Sequence, residues 1–491
     1  MGRASLPGKD HGSGAHLLTP LHPGRKGKAL RFALPLIVAL TIWPLPVPPG
    51  VEPAGMHLLA VFVATIVGII LKPLPMGAVA MVGIAATAAT GTLTINESLS
   101  GFGNRVIWLI VLAFFISRGF IKTGLGARIA YGFMAGLGRR SLGLGYGLVA
   151  TDLILAPAIP SNTARAGGVV FPILRSVAEA YGSRPDDGTA RRIGAFLTLT
   201  AFQGTVVTSA MFLTAMAANP LAAELAAAQG VEMTWGGWAL AALVPGLASL
   251  ALVPWAIYRL HPPEIRETPE AAALAREHLA KLGGMSPGEW VMLSTFVLLI
   301  ALWILSGTLG VHTTTTALLG LVILLVTGVL TWDDVLRERG AWDTLVWFSA
   351  LVMMASYLTE LGLIPWFSQT VGGWFGGVGW KAGFLALSLV YFYSHYFFAS
   401  NTAHVSAMYA PFLGVALALG TPPLLAGLVL AFFSNLFSSM THYGTGPAPV
   451  FFGGGYVEVG DWWKVGFLVS LINLVIWLGL GGLWWRLLGL W

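Results

Sequence analysis

The sequence contains no cysteine, and only 10% of its 491 residues are charged. The lack of cysteine excludes metal sites of Cys/His spacing and leaves the redox compartment undetermined. Soluble domains carry about 25% charged residues, so the scarcity of charge excludes an ordinary soluble protein. A hydrophobic share of 56% and a mean hydropathy of +0.78 instead indicate an integral membrane protein.

Signatures of nucleotide use and of catalysis are missing as well. No GKS or GKT occurs, and no glycine-rich loop follows a soluble strand, so neither ATP-driven transport nor dinucleotide binding is indicated. The paired carboxylates Asp186/Asp187 and Asp333/Asp334 are interpreted as solvated loop ends or helix caps. The polar groups inside the apolar stretches are mostly neutral, so we predict no enzyme activity and no cofactor. A membrane enzyme and an anion channel stay open as remote alternatives.

Apolar runs of roughly 20 residues, the length that crosses a hydrocarbon core of ~30 Å, predict about eleven transmembrane helices. They lie at 30–48, 54–73, 76–94, 106–134, 190–218, 236–259, 289–310, 314–331, 344–366, 422–452 and 463–487. The basic segment 1–29 is predicted to be a disordered cytoplasmic tail. Lys and Arg concentrate in alternate loops, and 219–235 has neither, which places the N-terminus in the cytoplasm. We expect a multi-pass protein of a bacterial inner membrane, in contact with lipid. The concentration of Lys and Arg in cytoplasmic loops accounts for the net charge of +6. The charge therefore indicates no nucleic-acid partner.

The two halves of the chain repeat each other. PSNTARAGGVVFPI (160–173) and ASNTAHVSAMYAPF (399–412) share a skeleton at an offset of 239, which also relates Trp108 to Trp347. AFQGTVVTSAMFLTAMAANP (201–220) parallels AFFSNLFSSMTHYGTGPAPV (431–450). The halves, 30–259 and 289–491, are joined by a cytoplasmic linker at 260–288. Because the first SNT stretch is entered from the cytoplasm and the second from outside, the sequence predicts an inverted repeat, as in secondary transporters.

Each SNT motif lies in a stretch that is too interrupted for one span, 143–178 and 382–415, and each stretch is predicted to be a re-entrant helical hairpin. Ser161 and Ser400 are predicted N-caps of the ascending helices, whose free N–H groups favour an anion. Ser, Asn and Thr offer neutral donors for carboxylate oxygens. Two such tips facing each other suit a substrate with two carboxylates; the alternative is that these residues are only caps and interhelical hydrogen bonds.

The paired SNT motifs, with PSNTARAGG and GTGPAPVFFGGGYV, resemble the divalent anion/sodium symporter family, and most closely its branch of citrate/succinate and 2-oxoglutarate/malate antiporters. The resemblance covers the chain from about residue 30 and implies eleven membrane helices, two opposed hairpins, an elevator-type transport domain and a homodimer. It implies exchange of di- or tricarboxylates such as succinate, malate, 2-oxoglutarate or citrate. The implied substrate-binding residues are Ser161, Asn162, Thr163, Ser400, Asn401 and Thr402, together with Thr208, Ser209 and Thr445 in the interrupted helices that follow the hairpins.

Two positions depart from the pattern of sodium-coupled members. Sodium-coupled members are expected to carry a small hydroxyl residue four positions before each SNT serine, where this chain has Pro157 and Tyr396. Arg165 and His404, each two positions after the SNT threonine, are predicted to contact substrate and to replace the charge of sodium. That charge, uncompensated when substrate leaves, would enforce exchange, and Arg165→Ala is then predicted to impair transport far more than folding.

Other interpretations of these residues stay open. Arg165 would otherwise form a structural ion pair or snorkel, and His404 would be a neutral hydrogen-bonding histidine. His442 either lines the substrate, with a titration near neutrality, or simply packs. The second function is sodium-coupled symport of the same anions, with sodium near Ser161, Asn162, Gly204, Ser400 and Asn401.

Overall fold

The computed structural model describes residues 25–374, 377 and 379–491. Of the predicted disordered tail, residues 1–24 lie outside this range, and the first helix already begins at Arg25. No β-strand occurs in the part of the chain that the structure describes. The α-helices in chain order are α1 (Arg25–Ile42), α2 (Pro53–Leu71), α3 (Met76–Ala89), α4 (Ile95–Leu99), α5 (Arg105–Thr123), α6 (Leu125–Leu137), α7 (Ser141–Leu155), α8 (Asn162–Arg165), α9 (Phe171–Ala180), α10 (Gly194–Met211), α11 (Ala218–Ala227), α12 (Trp235–Leu260), α13 (Pro269–Leu282), α14 (Pro287–Ile304), α15 (Ser306–Leu309), α16 (Thr313–Val326), α17 (Trp332–Arg337), α18 (Arg339–Glu360), α19 (Leu363–Trp374), α20 (Trp380–Tyr393), α21 (Asn401–His404), α22 (Ala410–Ala418), α23 (Pro423–Leu436), α24 (Pro447–Phe452), α25 (Val459–Val475) and α26 (Gly482–Leu487).

Shorter helical segments join some of these helices. Turns of 3₁₀-helix lie at Ser100–Gly103, Ala190–Arg192, Ser394–Phe397 and Phe437–Ser439, and π-helical turns lie at Ala166–Val170, Val405–Tyr409 and Ile476–Gly481. Among the described residues, six helical stretches are long and apolar enough to cross a bilayer: α2, α5, α12, α14, α18 and the run Val459–Leu487. The chain is therefore an all-α membrane protein, as predicted.

Two predicted single spans are each divided at a glycine. Residues 106–134 form α5 and α6, separated at Gly124, whose φ of +78° is left-handed. Residues 344–366 likewise include a break between α18 and α19 at Gly362, where φ is +87°. Glycine reaches this conformation without the steric cost of a Cβ, so it ends one helix and redirects the next. The prediction of two uninterrupted spans was wrong, and the two halves share the break.

Both predicted hairpins are present as helix, break and helix. In the first, α7 descends to a break at 156–161 and the chain returns through α8, a π-helical turn and α9. In the second, α20 is followed by a break and by α21, a π-helical turn and α22. The ascending helices begin at Asn162 and Asn401, and the π-helical turns begin at Ala166 and Val405. The sequence offset of 239 is thus kept in the local structure.

The helices that follow the hairpins are interrupted, as predicted. All 18 residues of α10 are buried, and this central helix packs against α7, α12 and α23. It ends at Met211, and α11 starts only at Ala218. In the second half α23 ends at Leu436, and α24 begins at Pro447 after a 3₁₀ turn and an irregular stretch. Each hairpin tip therefore has an unwound stretch of backbone beside it.

The linker at 260–288 contains an ordered helix that the sequence analysis did not assign. α13 packs along α6, and Thr268 donates its backbone N–H to Arg139 O at 2.8 Å. His278 stacks on Tyr131 with a centroid distance of 4.7 Å. These contacts attach the linker to the first half of the chain.

Candidate substrate-binding site

The serine of each SNT motif caps its own helix. Ser161 Oγ accepts a hydrogen bond from the Ala164 N–H at 3.1 Å, and Ser400 Oγ accepts one from the Ala403 N–H at 3.4 Å. Both have the extended backbone of an N-cap, so the predicted capping is confirmed. Each cap starts a continuous helical run, 162–180 and 401–418, whose positive end lies at the hairpin tip.

The two SNT asparagines line one small cleft. Asn162 comes from the first tip and Asn401 from the second, and the interrupted helices supply the remaining walls. The other lining residues are Thr205, Val206, Ser209, Met216, Asn435, Ser438, Thr445 and Pro447. The space between these side chains is too narrow for a water-sized sphere, so an organic anion does not fit between them in this conformation. The predicted residues that reach the cleft are Asn162, Ser209, Asn401 and Thr445.

The asparagines differ in how the protein holds them. Asn401 Nδ2 donates to Ser434 O at 2.8 Å and to Ser438 Oγ at 2.6 Å, which fixes its amide, while its oxygen accepts no hydrogen bond from the described residues. The Asn162 side chain makes no hydrogen bond to the described residues and keeps its whole amide available. Of the two asparagine side chains, that of Asn162 is the less constrained.

Arg165 is buried in an ion pair instead of carrying a free charge. Its Nε donates to Asp152 Oδ1 at 2.9 Å, and both side chains are essentially inaccessible to water. The prediction that Arg165 stays uncompensated is therefore wrong, because the Asp152 carboxylate neutralises it. The other carboxylate oxygen of Asp152 accepts a hydrogen bond from Thr208, which explains why Thr208 does not face the cleft.

The remaining Arg165 donors tie the hairpin to the break in the next helix. Nη1 donates to Ile159 O at 2.7 Å and to Ala215 O at 2.6 Å. Nη2 donates to Ser209 Oγ at 3.1 Å, so one contact of the guanidinium reaches a residue of the cleft wall. Arg165 thus acts on the cleft through Ser209 and through the position of the tip.

His404 occupies the matching place in the second half. Its Nδ1 lies 3.0 Å from His395 Nδ1, and His395 Nε2 lies 2.9 Å from Gly444 O. Since a carbonyl oxygen only accepts, His395 Nε2 is the donor there. The His404 ring also stacks between Phe398 and Phe437, each at a centroid distance of 4.5 Å. Arg165 thus links the first hairpin to the unwound stretch directly, whereas in the second half His404 holds His395, which makes the bond to Gly444.

The other predicted residues lie just outside the cleft lining. Thr163 packs on Gly446, where a Cβ would overlap the threonine hydroxyl. Thr402 presents its carbonyl to Ser406 Oγ at 2.7 Å. His442 Nδ1 accepts a hydrogen bond from Trp463 Nε1 at 3.0 Å and stands beside Phe452. His442 is thus held by packing and does not line the cleft in this conformation.

Sequence reasoning did not single out Asp152, and it placed Thr205, Asn435 and Ser438 only within the stretches 204–209 and 435–445, where the resemblance implies that the site is completed. Asp152 carries a signal that was available, because an acidic residue inside an apolar helix needs a buried partner. Asn435 offered a similar signal, an amide within LVLAFFSNLF. Thr205 and Ser438 resemble many small hydroxyl residues of membrane helices, and only the three-dimensional arrangement distinguishes them.

An all-α membrane chain with two polar hairpin tips at a shared internal cleft has the architecture of secondary transporters. The chain belongs to the family described as "Sodium:sulfate symporter transmembrane region", whose model matches residues 26–491. It is 58% identical to YflS of Bacillus subtilis, named as a proposed malate transporter, over 94% of this chain and 97% of that protein. It is 54% identical to dicarboxylate transporter 1, chloroplastic, of Spinacia oleracea, over 93% of this chain and 81% of that protein.

Solved structures share the fold at low sequence identity. The YdaH transporter of Alcanivorax borkumensis aligns with a TM-score of 0.53 at 14% identity, over 94% of this chain and 97% of that one. MtrF of Neisseria gonorrhoeae, described among antimetabolite efflux pumps, aligns with a TM-score of 0.55 at 15% identity, over 93% and 94%. At this identity the likeness concerns the architecture alone.

Proposed function

We propose that this protein exchanges dicarboxylates across a membrane without using sodium. The observation that carries the proposal is the shared cleft, in which Asn162 and Asn401 from the two hairpin tips stand together. The names of the relatives support the substrate class, since the spinach protein is a dicarboxylate transporter and YflS is named for malate. Succinate, malate, 2-oxoglutarate and citrate are the candidates, and malate is the probe that we would use first.

The cleft has the chemistry of a site for anions. The helical runs 162–180 and 401–418 begin at its edge, and a helix N-terminus carries the equivalent of roughly half a positive charge. Asn162, Ser209 and Thr445 offer neutral donors, and the apolar Val206, Met216 and Pro447 suit the carbon chain of a small diacid. Two positive helix ends at one cleft match two carboxylates.

Independence from sodium is supported by the way the chain fills the oxygen-rich break beside the first tip. Ile159 O, Ala215 O and Ser209 Oγ all accept hydrogen bonds from Arg165, so its guanidinium already supplies positive charge to the oxygens beside the first tip. In addition, Pro157 O accepts from Thr214 Oγ1 at 2.7 Å, and Tyr396 O accepts from Tyr443 Oη at 2.9 Å. Neither position offers a hydroxyl side chain of the expected small kind, and the carbonyl at each already accepts a hydrogen bond from the protein.

Obligate exchange is explained by the positive charge of the two helix N-termini. Arg165 does not explain it, because Asp152 neutralises its charge. When the anion leaves, two positive helix ends remain together in a dry cleft without a counter-ion. We expect the empty protein to reorient slowly and the loaded protein to reorient quickly. An elevator motion, a homodimer and an inner-membrane position with a cytoplasmic N-terminus complete the proposal. Because the chain has no native cysteine, single-cysteine variants labelled from either side would test the orientation.

Counterflow distinguishes a carrier from a channel. Liposomes holding the purified protein and an excess of unlabelled malate are diluted into a trace of labelled malate. A carrier accumulates label transiently above its equilibrium level, whereas a channel only equilibrates it. Absence of the overshoot would overturn the exchange mechanism, and sodium-coupled symport is the second candidate because of the family's description.

A further inference from the structure

Two fully buried polar atoms in the cleft wall have no partner among the described residues. Asn435 Oδ1 and Thr205 Oγ1 make no hydrogen bond to any described residue, and both side chains are about 1% exposed. Asn435 and Thr205 both line the cleft between the tips, and they occupy matching positions of the repeat in 201–220 and 431–450. A buried polar atom without a partner is costly, and because these two atoms also line the cleft between the tips, a ligand bound there can complete them.

The orientation of the Asn435 amide is fixed by a chain of contacts. Asn219 Nδ2 donates to Ser209 O at 2.8 Å and to Phe212 O at 2.9 Å, and since both partners are carbonyls, the Asn219 amide cannot be reversed. Asn219 Oδ1 is therefore an acceptor, and Asn435 Nδ2 donates to it at 2.7 Å. Asn435 Nδ2 also donates to Ala431 O at 3.1 Å, so both of its protons are used by the protein. The atom that Asn435 has left for a ligand is a pure acceptor.

A pure acceptor selects among diacids. Asn435 Oδ1 repels carboxylate and keto oxygens, because these are themselves acceptors. A hydroxyl group of the substrate can instead donate a hydrogen bond to it. Asn162, Ser209 and Thr445 supply donors for the carboxylates, so a hydroxyl near Asn435 would be the one donor that the substrate itself contributes. The two halves also differ at this matching position, which is a hydroxyl residue at Thr205 and an amide residue at Asn435. The cleft can therefore distinguish the two ends of a substrate.

We propose that Asn435 is a specificity residue that accepts a hydrogen bond from the hydroxyl group of a 2-hydroxy diacid such as malate. This inference rests on the proposed function and adds to it the preferred class of substrate. Thr205 contributes a second contact in this proposal, because its hydroxyl can donate a hydrogen bond to the substrate carboxylate next to that hydroxyl group. Succinate leaves Asn435 Oδ1 without a donor, and methylsuccinate places a methyl group against it.

The test is competition for uptake of labelled malate into malate-loaded liposomes that contain the wild-type protein. Unlabelled malate, succinate and methylsuccinate are compared by the concentration that halves uptake. We expect malate to compete about 10-fold better than either other diacid. With succinate or methylsuccinate bound, Asn435 Oδ1 stays buried without a hydrogen bond, which weakens binding. Methylsuccinate matches malate closely in size, so a preference over it isolates the hydroxyl hydrogen. Equal competition by the three compounds would overturn the proposal without using any variant.

The variant Asn435→Ala then assigns the preference to this residue. We expect the advantage of malate to fall to about one- to twofold in the variant, since the acceptor is gone for all three compounds. Asn473→Ala is the matched control, because Asn473 is also a buried asparagine without described partners and does not line the cleft. A preference that survives in Asn435→Ala would overturn the assignment, because a purely structural role lowers uptake without changing the ratio. Failure of the wild-type protein to exchange any diacid would refute the proposed function itself.

Discussion

Asp152 and Arg165 form an ion pair that is buried in the first hairpin, with Arg165 Nε donating to Asp152 Oδ1 at 2.9 Å. The pair joins the descending helix α7 to the ascending helix α8, and Arg165 also reaches Ala215 in the break after α10. The two charges stabilise each other, and each would be a buried charge without a counter-ion if its partner were removed. This geometry makes Arg165 a positioning residue of the tip.

Removing either member of this pair should destabilise the fold. Asp152→Asn and Arg165→Gln each leave a buried charge or a set of unmet donors, and we expect each to lower the free energy of unfolding by about 3–5 kcal/mol. Arg165→Ala is now expected to reduce folding together with transport. Melting temperatures in detergent measure the effect, with Arg175→Gln in the exposed pair Arg175–Glu179 as the control that should melt like the wild type. The double variant should lose less than the sum of the single losses, because the two changes share one interaction. Wild-type melting of both single variants would contradict the ion pair.

The two SNT asparagines should differ in their effects on stability. Asn162→Ala removes an amide that has no partner among the described residues, so transport should fall while the melting temperature stays unchanged. Asn401→Ala breaks the bonds to Ser434 and Ser438, so it should also cost about 1–3 kcal/mol of stability. Parallel uptake and melting measurements decide the matter. Equal stability losses in the two variants would show that Asn162 is also held by the protein.

A methyl group at Gly446 should push the first tip out of place. Gly446→Ala would set a Cβ against the Thr163 hydroxyl, and we expect uptake to fall strongly because the SNT segment must shift. Gly168→Ala is the control on the same hairpin, since a Cβ there meets nothing within 4 Å. Uptake measured per amount of folded protein separates misplacement from poor expression. Full activity of Gly446→Ala would mean that the tip tolerates the displacement.

Outside the spanning helices, Asp334 should give stability a defined pH dependence. A hydrogen bond from Lys122 Nζ at 2.6 Å, with further bonds from Thr331, lowers the pKa of Asp334 from 3.8 to about 2. A lowered pKa contributes stability above the unfolded value and loses it as pH falls through the folded value. Asp334→Asn should therefore lower the melting temperature at pH 7, and the difference from wild type should shrink as the pH falls below 3.8. A difference that is constant with pH would assign the effect to helix capping alone.

The sequence was sufficient for the parts of the fold that depend on local pattern. Hydrophobic length predicted a helical membrane protein, and the duplicated SNT segments predicted hairpins whose helices do begin at Asn162 and Asn401. Ser161 and Ser400 were recognisable as N-caps because that role depends only on neighbouring backbone. The breaks at Gly124 and Gly362 were missed, because an isolated glycine in an apolar run is common and its backbone angle is set by packing.

The candidate site was predicted only in part, because its remaining residues meet across long sequence distances. Arg165 was singled out, but its partner Asp152 lies 13 residues earlier on another helix, and the sequence left a structural ion pair as one of two alternatives. Asn435 meets Asn219 across 216 residues, and the direction of its amide follows from that contact alone. Spacing identifies residues that can serve a site, while packing decides which of their atoms remain free.

The most direct test of the central claim is uptake of labelled malate by liposomes that contain the purified protein, with two conditions varied independently. Unlabelled malate is present inside or absent, and an inward sodium gradient is present or replaced by choline. The account predicts that uptake requires internal malate and is the same with sodium or choline. Accumulation in empty liposomes driven by the sodium gradient would contradict it, and the oxygens around Arg165 would then need to release the guanidinium to admit a cation.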